Sequence, residues 1–305
     1  MEKQEKIIHK ISPMELAIPV ELLVRQFCGN IRVGWWSAGI TSAVACKIAL
    51  ELYDNVELFY IETGQANPDN LRFKRECEEW YGKSIHHVKN KNGYESPIDV
   101  VLKTGYMNGP NGARCSTELK KMVRLDLEEA MQPNLFDKRG TILNQIFGFE
   151  WEQKQVNRAI RFLQQFPEAL ALFPLIERMM NKNHCAGLLL NAGIDLPARY
   201  KEGQPNNNCE VCLKAGEGSL ALDKKNHPET FWKTASAERI VGHSCLKNKF
   251  LDEIKEGGRK PKEVMPQCGV FCEIQYADIP VFNIEDVMKG RLTIYEAAMQ
   301  ATKSA

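Results

Sequence analysis

Two stretches of this sequence are equipped for chemistry by residue type and spacing. The hexapeptide Ser37-Ala38-Gly39-Ile40-Thr41-Ser42 combines small residues with the hydroxyls of Ser37, Thr41 and Ser42. Small residues let a backbone approach an anion closely, and hydroxyls donate to it. Cys209-Glu210-Val211-Cys212 places two thiolates on one turn, the usual first half of a zinc or iron–sulfur site. Cys268-Gly269-Val270-Phe271-Cys272 supplies a second pair, and the Gly/Pro/Lys-rich stretch before it lets the chain return to the first. Cys209, Cys212, Cys268 and Cys272 are therefore the expected metal ligands. Zinc held by four thiolates would be structural and contribute about 10–16 kcal/mol; an iron–sulfur cluster is the other option. Cys28, Cys46, Cys77 and Cys185 sit in helical patterns and read as small buried side chains, whereas Cys245 fits neither group.

The elements around these residues follow from periodicity. Ile31 to Trp36 and Val56 to Ile61 read as strands, as do Ser84 to Val88 and Thr141 to Phe149. Helical patterns occupy Ser42 to Tyr53, Pro68 to Tyr81, Cys115 to Met131, Glu150 to Gln165 and Ile176 to Asn191. Alternation of this kind predicts an α/β fold: a doubly wound, mostly parallel sheet with helices on both faces, plus a smaller Cys-containing C-terminal region. The hexapeptide then follows the first strand and opens the first helix, where an anion gains about 0.3–1 kcal/mol from the helix dipole. After a polar loop at Pro197 to Asn208, Leu220 to Leu251 reads as mostly helical, and a last helix is expected over Ile284 to Gln300. The expected division is 1–200 for the α/β domain and 201–305 for the C-terminal region.

Composition narrows the class of protein. The chain of 305 residues has 44% hydrophobic and 26% charged residues, as ordinary globular proteins do. A net charge of +1 does not indicate a general binder of nucleic acid. No apolar run is long enough for a membrane span, and the charged start Met1 to Lys10 lacks the apolar core of a signal peptide. Ten cysteines without an export signal point to reduced thiols or metal ligands and to a cytoplasmic location.

The hexapeptide resembles the Ser-Gly-Gly-x-Asp-Ser loop of the PP-loop superfamily, with Ala38 in place of a Gly and Thr41 in place of the Asp. Glu62-Thr63-Gly64 after the second strand is similar to the Asp-Thr-Gly turn of phosphoadenosine phosphosulfate (PAPS) reductases. Arg114 to Lys120, the segment Phe147 to Glu152 with Arg158, and Phe173 to Ile176 resemble further elements of that family in the same order. So do Gly193 to Pro197, Tyr200 to Gly203 and the Cys209–Cys212 pair. The resemblance implies an adenine nucleotide, PAPS or ATP, held by Ser37, Ala38, Gly39, Thr41, Ser42, Glu62, Thr63 and Gly64. It implies that Lys120 and Arg158 neutralise an anionic group, and Cys268 corresponds to the attacking thiolate of a family tail. Family members with a [4Fe–4S] cluster carry a Cys-Cys dipeptide where this chain has Arg114-Cys115, so one ligand would come from Cys268 or Cys272.

Three functions are compatible with these residues. The first is an oxidoreductase of PAPS-reductase type, with a nucleotide sulfate as substrate and a thiol as electron donor. The second is ATP-dependent modification or thiolation of a nucleic-acid base. The third is a nucleotide-binding sensor without catalysis. Thr41 bears on the second, because a hydroxyl holds Mg²⁺ less well than a carboxylate does.

Overall fold

The computed structural model describes residues 12–19, 31–110, 112–131, 143–255 and 262–266. Its centre is a five-stranded, all-parallel sheet: β1 (Ile18–Pro19), β2 (Ile31–Trp35), β3 (Val56–Ile61), β4 (Ile85–Lys89) and β5 (Leu143–Ile146). The strand order is β1-β4-β3-β2-β5. Gly34 of β2 pairs with Leu58 on one side and Ile146 on the other. The chain therefore winds outward from β2 through β3 to β4, then returns to place β5 on the opposite side. That reversal makes the carboxyl end of β2 the switch point where a parallel sheet opens a crevice.

Strand alternation sends side chains to two covered faces. Ile31, Val33, Trp35, Phe59 and Val88 meet Val123, Leu127 and Met131 of one helix, α4 (Met122–Met131). On the other face Val56, Leu58, Tyr60, Ile85 and Ile146 pack against α1 (Ile40–Leu52) and α2 (Asn70–Tyr81). Ala43, Ala45 and Ala49 keep α1 slim enough to be buried between the sheet and α6 (Lys182–Asn191). The expected α/β class is borne out, and the sheet is wholly parallel.

A second apolar cluster lies apart from the sheet. Val101 of α3 (Pro97–Thr104) joins Met107, Ala113, Val211 and Leu213 with Leu220 of α7 (Glu217–Asn226) and Phe231 of α8 (Pro228–Val241). Cys245 is buried in this cluster, and Cys115 packs against it.

Several elements differ from expectation for local reasons. The helix expected over Ile176 to Asn191 is two: a turn at Pro174–Glu177, then α6. Between them Met179 takes φ 51°, and Asn181 starts α6 with a capping box to His184. The stretch Leu220 to Leu251 breaks at Pro228, which opens α8 at its first position, and α8 stops at the left-handed Gly242. Strand β5 ends at Ile146 because Phe147 leaves the ladder to bond Leu172, donating its N–H to that carbonyl at 3.0 Å. Helix α3, capped by Ser96, was not expected. The helix expected at Ile284 to Gln300 lies outside the described residues.

Candidate functional site

The loop after β2 is built around two unusual backbone positions. Ala38 is fully buried with φ 57°, the left-handed region that side chains avoid. Gly39 then forms the N-cap of the 13-residue α1 and, as a glycine, supplies no side-chain capping bond, so the side chain that meets the first-turn amides is Tyr200, whose hydroxyl is bonded by the Ile40 backbone. Ser42 Oγ donates to the Gly39 carbonyl (2.8 Å) and accepts from both the N–H and the Oγ of Ser37 (3.0 Å each). The two serine hydroxyls therefore staple the loop to the start of α1, and both residues line the crevice. Thr41 lines the crevice and takes no part in this staple.

Three residues that sequence reasoning did not assign complete the cradle. Gly148, just past β5, lies against α1 so tightly that a Cβ there would fall 2.6 Å from the Ser42 nitrogen. Tyr200 places its hydroxyl over Gly39 and is bonded by the Ile40 and Asn207 backbones. Asn207 Nδ2 bridges the Ala38 carbonyl (2.6 Å) and Asn70 Oδ1 (2.7 Å). In sequence, Asn207 is one of three consecutive asparagines in a polar loop, a composition that signals a turn and nothing more specific.

The turn Glu62-Thr63-Gly64 is divided in its roles. The Glu62 carboxylate is turned inward, accepting from the Thr63 and Gly64 N–H groups (2.8 Å each) and from His87 Nε2 (3.2 Å). Burial opposes its charge, but the bonds from His87, Gly64 and Thr63 and the His87 charge outweigh burial and hold its carboxyl below the ordinary range. Glu62 thus braces the turn and does not line the crevice. Gly64 has φ 73°, and a Cβ would overlap the Glu95 carbonyl oxygen at 1.6 Å, so only glycine fits. Thr63 alone of the three faces the crevice, with its Oγ1 3.1 Å from Cys209 Sγ.

The crevice has a volume of about 740 Å³ and is shared by Ser37, Thr41, Lys120, Arg158 and Cys209. Lys120 lies in a π-helical turn, Thr117–Lys121, that leads into α4. Arg158, on α5 (Gln153–Gln165), stacks its guanidinium over the Phe149 ring at 4.2 Å. Burial and neighbouring Arg161 lower its pKa, yet an arginine remains charged at neutral pH. Two cations expected to meet an anion therefore line the same crevice as the loop after β2. A wall of aromatic rings extends it: Lys121 lies 5.4 Å from the Phe166 ring and Arg124 4.7 Å from the same ring.

Of the four expected metal ligands, Cys209 and Cys212 are described. Cys268 and Cys272 lie outside the described residues. Cys115, Cys209 and Cys212 line one small cavity of about 40 Å³, with Lys120 and Lys214 on its wall. Burial, reinforced by Cys209 and Cys212, pushes the Cys115 thiol up to about 11. A purely thiol donor set suits zinc or iron–sulfur chemistry. Among the described residues no group of three or more His, Cys, Asp or Glu side chains is placed to hold a single metal ion. Cys46, Cys77 and Cys185 are buried. No described helix is long and apolar enough to cross a membrane.

An all-parallel sheet with helices on both faces and a crevice at its switch point, where a glycine opens the helix after β2, defines an α/β protein with its crevice at the usual ligand position of such sheets. Residues 32–127 match the family model described as phosphoadenosine phosphosulfate reductase domain, and that segment is a PAPS reductase-like domain of the PP-loop superfamily. Neither a curated protein nor a solved structure matches the chain.

Proposed function

We propose that this protein is an enzyme that binds an adenine nucleotide and reduces a nucleotide sulfate. The observation that carries this reading is the convergence of Lys120, Arg158 and the glycine-started first turn of α1 on one crevice. The nucleotide phosphates lie over Gly39 and Thr41, where first-turn amides and the helix dipole favour negative charge. Lys120 and Arg158 receive the sulfonate, each through a charge-assisted bond. A thiolate, Cys268 by family resemblance, attacks the sulfur. A sulfur–sulfur bond forms, the sulfur–oxygen bond to the nucleotide breaks, and the nucleotide leaves with the oxygen. A second thiol, from a dithiol donor, then displaces sulfite, so two thiols are oxidised to a disulfide as the sulfur gains two electrons. The test is release of sulfite from PAPS in the presence of a dithiol. Sulfite release that stops in Lys120→Ala and Arg158→Ala is expected; nucleotide binding without any sulfite release would contradict the reduction.

A second reading, ATP-dependent modification or thiolation of a nucleic-acid base, is supported by the aromatic wall. Phe147, Phe149, Phe162 and Phe166 with Lys121 extend the crevice with stacking surfaces and positive charge, while the neighbouring Arg124 is paired with Glu128. Its signature is pyrophosphate release from ATP that rises when single-stranded nucleic acid is added.

A further inference from the structure

One side chain, Tyr200, stands between the start of α1 and the crevice. Its hydroxyl lies over Gly39, 3.6 Å from where a Cβ on that glycine would fall. The backbone N–H groups of Ile40 and Asn207 both bond to it. Ile40 is the first residue of α1, so its amide is one of those that a helix leaves without an intrahelical partner. Tyr200 in turn lines the crevice, together with Gly39 and Thr41.

The bonds at the phenol oxygen fix what it can still do. A hydroxyl has two acceptor positions and one hydrogen. Two N–H donors fill the acceptor positions, and the hydrogen has to point away from both. Among the described residues these two amides are the partners of the hydroxyl, and neither can accept its hydrogen. Burial is the largest influence on the phenol and raises its pKa against the pull of the two amide bonds, so the hydrogen is kept at neutral pH.

The segment carrying the ring is anchored along its length. The Ala198 N–H donates to Asp69 Oδ2 at 2.8 Å, and Asp69 is paired with Arg72. Arg199 is paired with Asp223 and with Glu202. Beyond the ring, Asn207 Nδ2 holds the Ala38 carbonyl and Asn70. A hydroxyl fixed in this way has little freedom left to lose when a ligand meets it.

We propose that Tyr200 is a phosphate-binding residue, whose hydroxyl accepts from the Ile40 and Asn207 amides and donates its own hydrogen to a phosphate oxygen over Gly39. In a chain that runs from N–H through O–H to an anionic oxygen, each bond polarises the next. The phenol thereby carries the positive end of α1 into the crevice. This role rests on the adenine-nucleotide part of the proposed function and is independent of the sulfur chemistry.

The test is calorimetric titration of AMP, ATP and adenosine into the full-length wild type and Tyr200→Phe, with thermal midpoints of both. The variant keeps the ring and removes the hydroxyl. Affinity for AMP and ATP is expected to fall about tenfold or more, the worth of one hydrogen bond to a charged group. Adenosine, which has no phosphate, should bind both proteins alike. Tyr200→4-aminophenylalanine restores a donor at the same place and should recover most of the loss, which packing alone would not predict. Should Tyr200→Phe fail to fold, the aminophenylalanine protein decides: AMP affinity near that of the wild type supports the role, and affinity lost at an unchanged midpoint overturns it. Equal or tighter binding of AMP by a folded Tyr200→Phe protein would overturn the role of Tyr200 and leave nucleotide binding standing. A wild type that binds neither AMP nor ATP would contradict the proposed function together with this role.

Discussion

Gly148 and Ser42 touch backbone to backbone: a Cβ added to Gly148 would lie 2.5 Å from the Ser42 Cα. The chain leaving β5 thus supports the first turn of α1 from below, while Tyr200 and Asn207 cover the loop from above. Gly148→Ala forces the two segments apart. A stability loss of about 1–3 kcal/mol is expected from the overpacking, measured by urea denaturation. Adenine-nucleotide affinity should fall with it, because the displaced turn carries the amides proposed to meet phosphate. Unchanged affinity in a folded Gly148→Ala protein would show that the turn does not hold the ligand.

Lys120 and Arg158 should each contribute a charge-assisted contact. Truncation of either to alanine is expected to weaken PAPS binding by about 1.5–3 kcal/mol, measured by calorimetry. Arg158→Lys should rescue little, since the planar guanidinium stacked on Phe149 is what fixes its fork. Full rescue by lysine would mean that only charge is used.

Glu62 links the β3 turn to pH. Its folded carboxyl titrates below the ordinary range, so the native state binds fewer protons there than the unfolded chain. The stabilisation is present above the unfolded pKa, about 4.3, and is lost as pH falls through the depressed folded value. Glu62→Gln should destabilise the protein by about 1–3 kcal/mol at neutral pH. The gap between variant and wild type should close as denaturation is repeated toward pH 3. A gap independent of pH would contradict the charged role.

Gly64→Ala places a side chain on the Glu95 carbonyl and in a left-handed backbone at once. A loss on the order of 3 kcal/mol is expected from strain plus overlap, seen as a lowered thermal midpoint. A neutral effect would mean that the turn relaxes freely.

The sheet and the position of the loop after β2 are legible in the sequence because they depend on local pattern. Strand β3 was read at its true bounds from Val56 to Ile61, and the loop was placed between β2 and α1 before any geometry was known. Glu62 shows where pattern stops. A carboxylate at a strand end reads as a ligand contact, but whether it faces the crevice or folds back on Gly64 depends on the distant His87. Asn207 and Gly148 escaped notice for the same reason: their roles exist only through contacts with Ala38 and Ser42, far away in sequence.

The central claim is that the first turn of α1 holds the phosphates of an adenine nucleotide. Gly39 isolates it. A Cβ there meets the Tyr200 hydroxyl at 3.6 Å and the Ser37 hydroxyl at 3.7 Å, both ordinary contact distances, and its φ of −91° suits any residue. Gly39→Val should therefore fold while filling the space a phosphate needs. The measurement is calorimetric titration of ATP, AMP and PAPS into wild type and Gly39→Val, with thermal midpoints of both. Saturable binding to the wild type, weakened at least about tenfold in the variant at a similar midpoint, is expected from the loss of 1.4 kcal/mol or more. No binding of any of the three nucleotides to the wild type, or equal binding by a folded Gly39→Val protein, would contradict the claim.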